Sequence, residues 1–225
     1  MTHATEPQQN LSDRIAELVR EKIVHGEFAP GQRLSEAALS ESLEVSRNTL
    51  REAFRVLTKE GLLKHELNRG VSVAVPSIAA IIDIYRVRRL IECQALVQAY
   101  PRHPANKHLR QAVDRALRCR EGGDWRGVGT ANMEFHMAIV ELADSERLNV
   151  VFSHLLAELR LAFGLLNDPE FLHMPYVEMN VNILELFEAG KLQEAAAALN
   201  EYLVHSERIV LAVYARRISD GGQPK

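Results

Sequence analysis

The sequence predicts a mainly α protein in two parts: an N-terminal winged helix-turn-helix followed by an all-α antiparallel helical bundle. Two short helical patterns are separated only by Glu44 and Val45, and an alternating run of Val71, Val73 and Val75 follows them. Long patterns of helical period then fill residues 78–217 with almost no strand signal. Aromatic residues make up only 6% of the chain, which suits helices packed by Leu, Ala, Ile and Val. The 225 residues, 47% hydrophobic and 25% charged, have the composition of a globular protein of one or two domains. No apolar run is long enough to span a membrane, and MTHATEPQQN has neither the basic nor the apolar part of a secretory signal. A cytoplasmic protein is expected. Cys93 and Cys119 are too few for a disulfide framework and read as reduced core thiols.

The expected organisation is a disordered tail over 1–10, a winged domain over 11–76, a helical domain over 77–217 and a second disordered tail over 218–225. The first helix is expected after a cap at Ser12, with Ile15, Leu18, Val19 and Ile23 as its apolar stripe and Gly26 as its stop. Ala29-Pro30-Gly31-Gln32 reads as a turn, because Pro fixes the first central residue and Gly supplies positive φ at the second. Ser35 caps a short second helix to about Leu43. Ser46 caps a third, to about Lys59, whose stripe is Leu50, Ala53, Phe54 and Leu57, with Gly61 ending it. Leu62–Glu66 and Val71–Val75 read as two strands joined through Asn68-Arg69-Gly70. Six helices are then expected near 78–99, 105–121, 125–142, 147–166, 175–189 and 191–217.

The formal net charge of −3 looks wrong for a nucleic-acid binder, but it hides a local pattern. Residues 36–45 hold Glu36, Glu41 and Glu44 and no basic residue, whereas residues 46–71 hold six basic residues against three acidic ones. Arg47, Arg51, Arg55 and Lys59 recur every fourth residue, so they line one stripe of the third helix, opposite its apolar one. Ser46, Arg47, Asn48 and Thr49 add hydroxyl and amide groups beside the free N–H groups of a helix N-terminus, a combination suited to phosphate and base edges.

GEFAPGQRLSEAALSESLEVSRNTLREAFRVLTKEGLLKHELNRGVSVAV resembles the DNA-binding domain of GntR-type bacterial transcription regulators, in its Pro-Gly turn, its Val45-Ser46-Arg47 entry, Leu50-Arg51-Glu52-Ala53, Glu60-Gly61-Leu62 and Arg69-Gly70. The helical remainder is similar to the effector domain of the FadR/FCD branch, through Arg88…Glu92, Phe135-His136 and Ala143-Asp144-Ser145. The resemblance implies a homodimer on a palindromic DNA operator, acting as a metabolite-controlled repressor. It implies DNA contacts from Ser46, Arg47, Asn48, Thr49 and Arg51, with Arg69 and Gly70 in the wing. The sequence departs from the family where many relatives carry an Arg in the second helix and this chain has Ala37.

Many members of that branch hold a divalent metal through one Asp and three His. The register puts Asn132, His136, Asn180 and Tyr202 at those positions, so one ligand of four is retained and no metal, zinc included, is expected there. His205 and His173 are the histidines that would have to replace the missing ligands. Arg88, Asn132, His136, Asn180 and Tyr202 are instead expected to form an effector site, for an organic acid if Arg88 takes a carboxylate bidentately. The same Arg88 also stands one turn before Glu92, the spacing of an intrahelical ion pair, and the sequence leaves both roles open. Trp125 is expected in the core, and His103, His108, His154 and His173 at structural or surface positions. The rivals to a regulator are an all-helical enzyme and a protein-interaction module. Against the enzyme, the chain has no HExxH, P-loop, nucleophile elbow or GxGxxG.

Overall fold

The computed structural model describes residues 10–66, 69–100, 102–165 and 169–219, and divides at Val75–Pro76 into two compact units. The first holds α1 (Leu11–Val24), β1 (Arg33–Leu34), α2 (Glu36–Ser42), α3 (Arg47–Lys59), β2 (Leu63–Glu66) and β3 (Gly70–Val73). Its core joins Ile15, Ala16, Val19 and Ile23 of α1 to Leu50, Ala53, Phe54 and Leu57 of α3. Arg20 fastens the same pair of helices, its Nη2 donating to both carboxylate oxygens of Glu60 at 2.8 Å.

The Ala29–Gln32 turn forms as the sequence requires. Gly31 sits at φ +79° and Gln32 N–H donates to Ala29 O at 2.9 Å. The turn feeds β1, which the sequence does not signal because two residues are too few to alternate. The antiparallel sheet runs in the order β1-β3-β2, with Leu34 opposite Val71 and Leu63 opposite Val73. Both valines are buried, while Val75 lies beyond the last paired residue and is only half-buried, so the strand is shorter than expected.

The second unit holds α4 (Ile78–Gln98), α5 (Asn106–Glu121), α6 (Trp125–Glu141), α7 (Glu146–Phe163), α8 (Pro169–Glu188) and α9 (Leu192–Ser219). Oxygen-bearing caps start α4, α6 and α7: Ser77 accepts from Ala80 N–H, Asp124 from Gly127 N–H and Ser145 from Leu148 N–H. α4, α6, α8 and α9 enclose a common core that includes Tyr85, Phe135, Leu184, Leu199 and Leu203. Trp125 packs beside Ala116, Val128, Ala131 and Val177, as expected. No helix among the described residues is long and apolar enough to cross a membrane.

Several helix boundaries also differ from the sequence reading, α7 ending at Phe163 rather than 166 among them. α1 begins at Leu11 rather than after Ser12, because Asn10 stands outside the helix at φ −59° and ψ 145° and its carbonyl accepts from Asp13 N–H at 2.9 Å. α9 runs two residues past 217, to Ser219, so the described parts of the expected tails, Asn10 and residues 218–219, belong to helix ends. Residues 1–9 and 220–225 lie outside the described residues, as does Asn68 in the wing turn. α8 begins at Pro169 rather than Pro175. Leu172, His173, Tyr176, Val177 and Asn180 form one buried stripe through the exposed Pro175, and continuous burial outweighs the loss of the N–H that Pro cannot supply to Phe171 O.

Candidate functional site

The first unit presents a basic face. Ser46 accepts from Thr49 N–H at 3.1 Å and shares a 2.8 Å hydrogen bond with the Thr49 hydroxyl, so the cap is built by two predicted site residues. Arg47, Asn48, Arg51, Arg55 and Lys59 are exposed while Leu50, Ala53, Phe54 and Leu57 are buried, so the two stripes of α3 separate cleanly. Arg51 Nε donates to Glu36 Oε2 at 2.8 Å, and the side chain stays 59% exposed. A carboxylate from α2 therefore aims the arginine without burying it. Ala37 stands exposed beside it and offers no charge.

Arg69 and Gly70 are exposed at the end of the wing, where Arg33 Nε donates to the Arg69 carbonyl at 2.6 Å. The wing is less basic than its composition suggests. Glu66 lies 3.0 Å from Lys64 Nζ and 4.0 Å from Arg69, and Lys64 above all holds its carboxyl below the usual range.

The second unit buries one set of polar groups. Arg88, Asn132, His136, Asn180 and Tyr202 are all buried and form one connected cluster, with Glu92 at its centre. Arg88 Nε donates to Glu92 Oε1 at 2.7 Å, and His136 Nδ1 lies 2.6 Å from Glu92 Oε2. The His136 ring meets Tyr202 edge-on at 4.9 Å. Tyr202 donates its hydroxyl to Asn132 Oδ1 at 3.0 Å, and Asn180 Nδ2 donates to the same oxygen at 2.7 Å. Arg88 also lies over the Tyr85 ring, 5.3 Å from its centroid, and Tyr85 shares a 2.7 Å hydrogen bond with Ser206.

The electrostatics follow from burial. Burial favours the neutral form of Glu92, but Arg88 and His136 more than offset it and hold the carboxyl below its ordinary range. Burial pushes the His136 imidazole down, so the ring is neutral and its Nδ1–H donates to Glu92. Arg88 forms the ion pair with Glu92 through Nε, and its Nη2 has no partner among the described residues. Glu92, read in the sequence only as half of that pair, also orients His136; no spacing within one helix reveals a partner 44 residues away.

A second buried group adjoins the first. Gly129 stands one turn before Asn132 on α6, and a Cβ there would lie 2.6 Å from His173 Nε2 and 2.7 Å from Arg160 Nη1. Glycine at this position lets both side chains cross the helix. Burial, with Arg160 beside it, pushes the His173 imidazole down to about 3. His103 is structural, accepting from Ala105 N–H at 3.0 Å and lying 2.9 Å from Asp144.

The donor set does not fit the divalent metal that the family resemblance implies. Asn132 Oδ1 already accepts two hydrogen bonds, His136 is the cluster's one imidazole, and His205 is exposed and touches the Tyr176 ring at 6.0 Å. Among the described residues no three His, Cys, Asp or Glu stand together as metal ligands.

An exposed basic recognition helix with a wing, attached to a helical unit with a buried polar cluster, defines a DNA-binding transcription regulator. Residues 11–73 match the gntR family of bacterial regulatory proteins and residues 83–205 match the FCD domain. The chain belongs to the GntR family and carries its FCD domain, and it is a transcription regulator rather than an enzyme. It is similar to a GntR transcriptional regulator of Rhodococcus sp. RHA1 of known structure, with 37% identity and a TM-score of 0.85 over 90% of this chain and 98% of that one. It is 28% identical to the HTH-type transcriptional regulator YdhC of Bacillus subtilis, over 60% of this chain and 62% of the relative, so the match spans less than two thirds of that protein. A 24% identical relative from Paenarthrobacter nicotinovorans, matched over 86% of this chain and 85% of its own, is named "Probable D-xylose utilization operon transcriptional repressor".

Proposed function

We propose that this chain is a ligand-responsive repressor of the cytoplasm that binds a palindromic operator as a homodimer. The observation that carries the reading is the exposed line of Arg47, Arg51, Arg55 and Lys59 along α3, beginning at a capped helix N-terminus. Ser46, Asn48 and Thr49 join Arg47 and Arg51 in contacting one half-site, and Arg69 and Gly70 reach the neighbouring groove from the wing. The helical unit supplies the dimer contact. Leu90 of α4 and Val150 and Val151 of α7 are 72%, 56% and 55% exposed on neighbouring helices, an apolar display that suits a subunit interface.

The buried cluster of Arg88, Asn132, His136, Asn180 and Tyr202, centred on Glu92, takes a small polar effector without a metal. An organic acid is the class the sequence suggests for Arg88. The Glu92 carboxylate already on that guanidinium bears directly on it, as argued below.

The test is anisotropy titration of the full chain on duplexes selected from a random-sequence pool. Arg47→Ala and Arg51→Ala should each weaken binding by about 1–3 kcal/mol with the melting temperature unchanged. Undiminished binding by the double variant would remove the basis of the assignment. Chelator should leave the melting temperature where it is, and a fall would restore the metal.

A further inference from the structure

The floor of the buried cluster carries one cation and one anion, and each neutralises the other. Arg88 Nε and His136 Nδ1 occupy the two oxygens of Glu92, and Glu92 and Arg88 are the charged groups that bear on His136 among the described residues. With His136 neutral, the floor has no net charge. Three of its buried polar atoms have no hydrogen-bond partner among the described residues: Arg88 Nη2, His136 Nε2 and Asn180 Oδ1. Their residues are 2%, 0% and 3% exposed, so bulk water does not serve these atoms.

Their chemistry is specific. Arg88 Nη2 is a donor. His136 Nε2 is an acceptor, because Nδ1 carries the ring proton toward Glu92. Asn180 Oδ1 is an acceptor, because its Nδ2 donates to Asn132 Oδ1. A ligand that completes this floor must therefore donate twice and accept once. A carboxylate only accepts. It would satisfy Arg88 but place lone pairs against His136 Nε2 and Asn180 Oδ1, and it would add an uncompensated charge to a buried neutral site. A hydroxyl donates and accepts at once.

We propose that the effector is a neutral polyhydroxylated molecule, a sugar or polyol. Two of its hydroxyls donate to His136 Nε2 and Asn180 Oδ1, and one of its oxygens accepts from Arg88 Nη2. The inference rests on reading the cluster as an effector site, and its test separates the two claims.

Three- to six-carbon polyols and aldoses are compared in thermal-shift and calorimetric titrations of the full chain, each beside the aldonic acid of the same carbon chain. At about a hundredfold excess over its Kd, at least one neutral member should raise the melting temperature by about 5 °C or more, while its acid does not. Asn180→Leu should abolish the shift, with Asn180→Ser as the milder variant if the first fails to fold. An acid that binds while its neutral partner does not, or equal binding by both, overturns the neutral-ligand inference and leaves the effector site standing. A neutral ligand whose shift survives both Asn180 variants binds elsewhere and overturns the assignment of the floor. No shift with either class overturns both readings.

Discussion

The two units place charge in opposite ways. On α3 the cations stand in water, where a charge costs little to keep and is available to a phosphate. In the helical unit Arg88 and Glu92 lie where an unpaired charge is costly, so each exists only with its partner. The exposed set is consequently free to serve a ligand without holding the fold together. The buried set is tied up in its own network, and only the atoms that network leaves unbonded remain for the proposed effector.

The widest test of this contrast is to break the buried pair. Glu92→Leu leaves Arg88 buried and uncompensated and removes the acceptor of His136, and should cost about 3–5 kcal/mol in urea unfolding. Arg88→Met added to it removes the stranded charge and should recover much of that loss. A single-variant cost below about 1 kcal/mol would show that the pair is not desolvated as the structure has it.

Acid sharpens the contrast next. In the unfolded chain His173 takes a proton near its ordinary 6.5; in the fold it does so only near 3. Between these values the unfolded state binds a proton that the native state refuses. The stability from neutral His173 is therefore complete above about pH 6.5 and falls as pH drops toward 3, by about 1.4 kcal/mol per unit. His173→Phe should flatten this part of the profile by one proton. An unchanged slope would mean that the imidazole is already charged in the fold.

The two units were also unequally legible in the sequence. In the winged unit the signals are local: a cap three residues from its N–H, cations every fourth residue, a Pro-Gly turn. Each lies within a dozen residues and reads directly, while the two-residue β1, the start of α1 and the end of β3 escape. In the helical unit the helices were legible from their periodicity, and it was the family resemblance that grouped Asn132, His136, Asn180 and Tyr202. The hydrogen bonds among them were not legible. Glu92 as the bridge between Arg88 and His136, and Gly129 as the gap through which His173 and Arg160 meet, depend on the packing of helices distant in sequence. Pro175 misled for the same reason, since a local breaker was outweighed by a stripe that packing buries.

Gly129→Ala tests that packing with a smaller effect. A methyl 2.6 Å from His173 Nε2 must displace a buried ring, which costs about 1–3 kcal/mol, while the helix gains up to about 1 kcal/mol from replacing glycine. A net loss of about 1 kcal/mol is expected in thermal unfolding. A gain in stability would show that His173 and Arg160 move aside freely.

The smallest stability effect is expected on α3, and it carries the contrast furthest. Arg55 is 71% exposed and bonds to Glu52 one turn back, a surface pair of the kind worth little. Arg55→Ala should therefore change the unfolding free energy by less than about 0.5 kcal/mol. The same substitution removes one cation from the line proposed to face DNA, so the slope of log affinity against log salt should shallow by about one. A variant that loses stability but keeps its salt slope would make Arg55 a structural residue, and the basic stripe would end at Arg51. A variant that keeps its stability and loses slope separates the two functions of charge in this chain: held in the interior, offered at the surface.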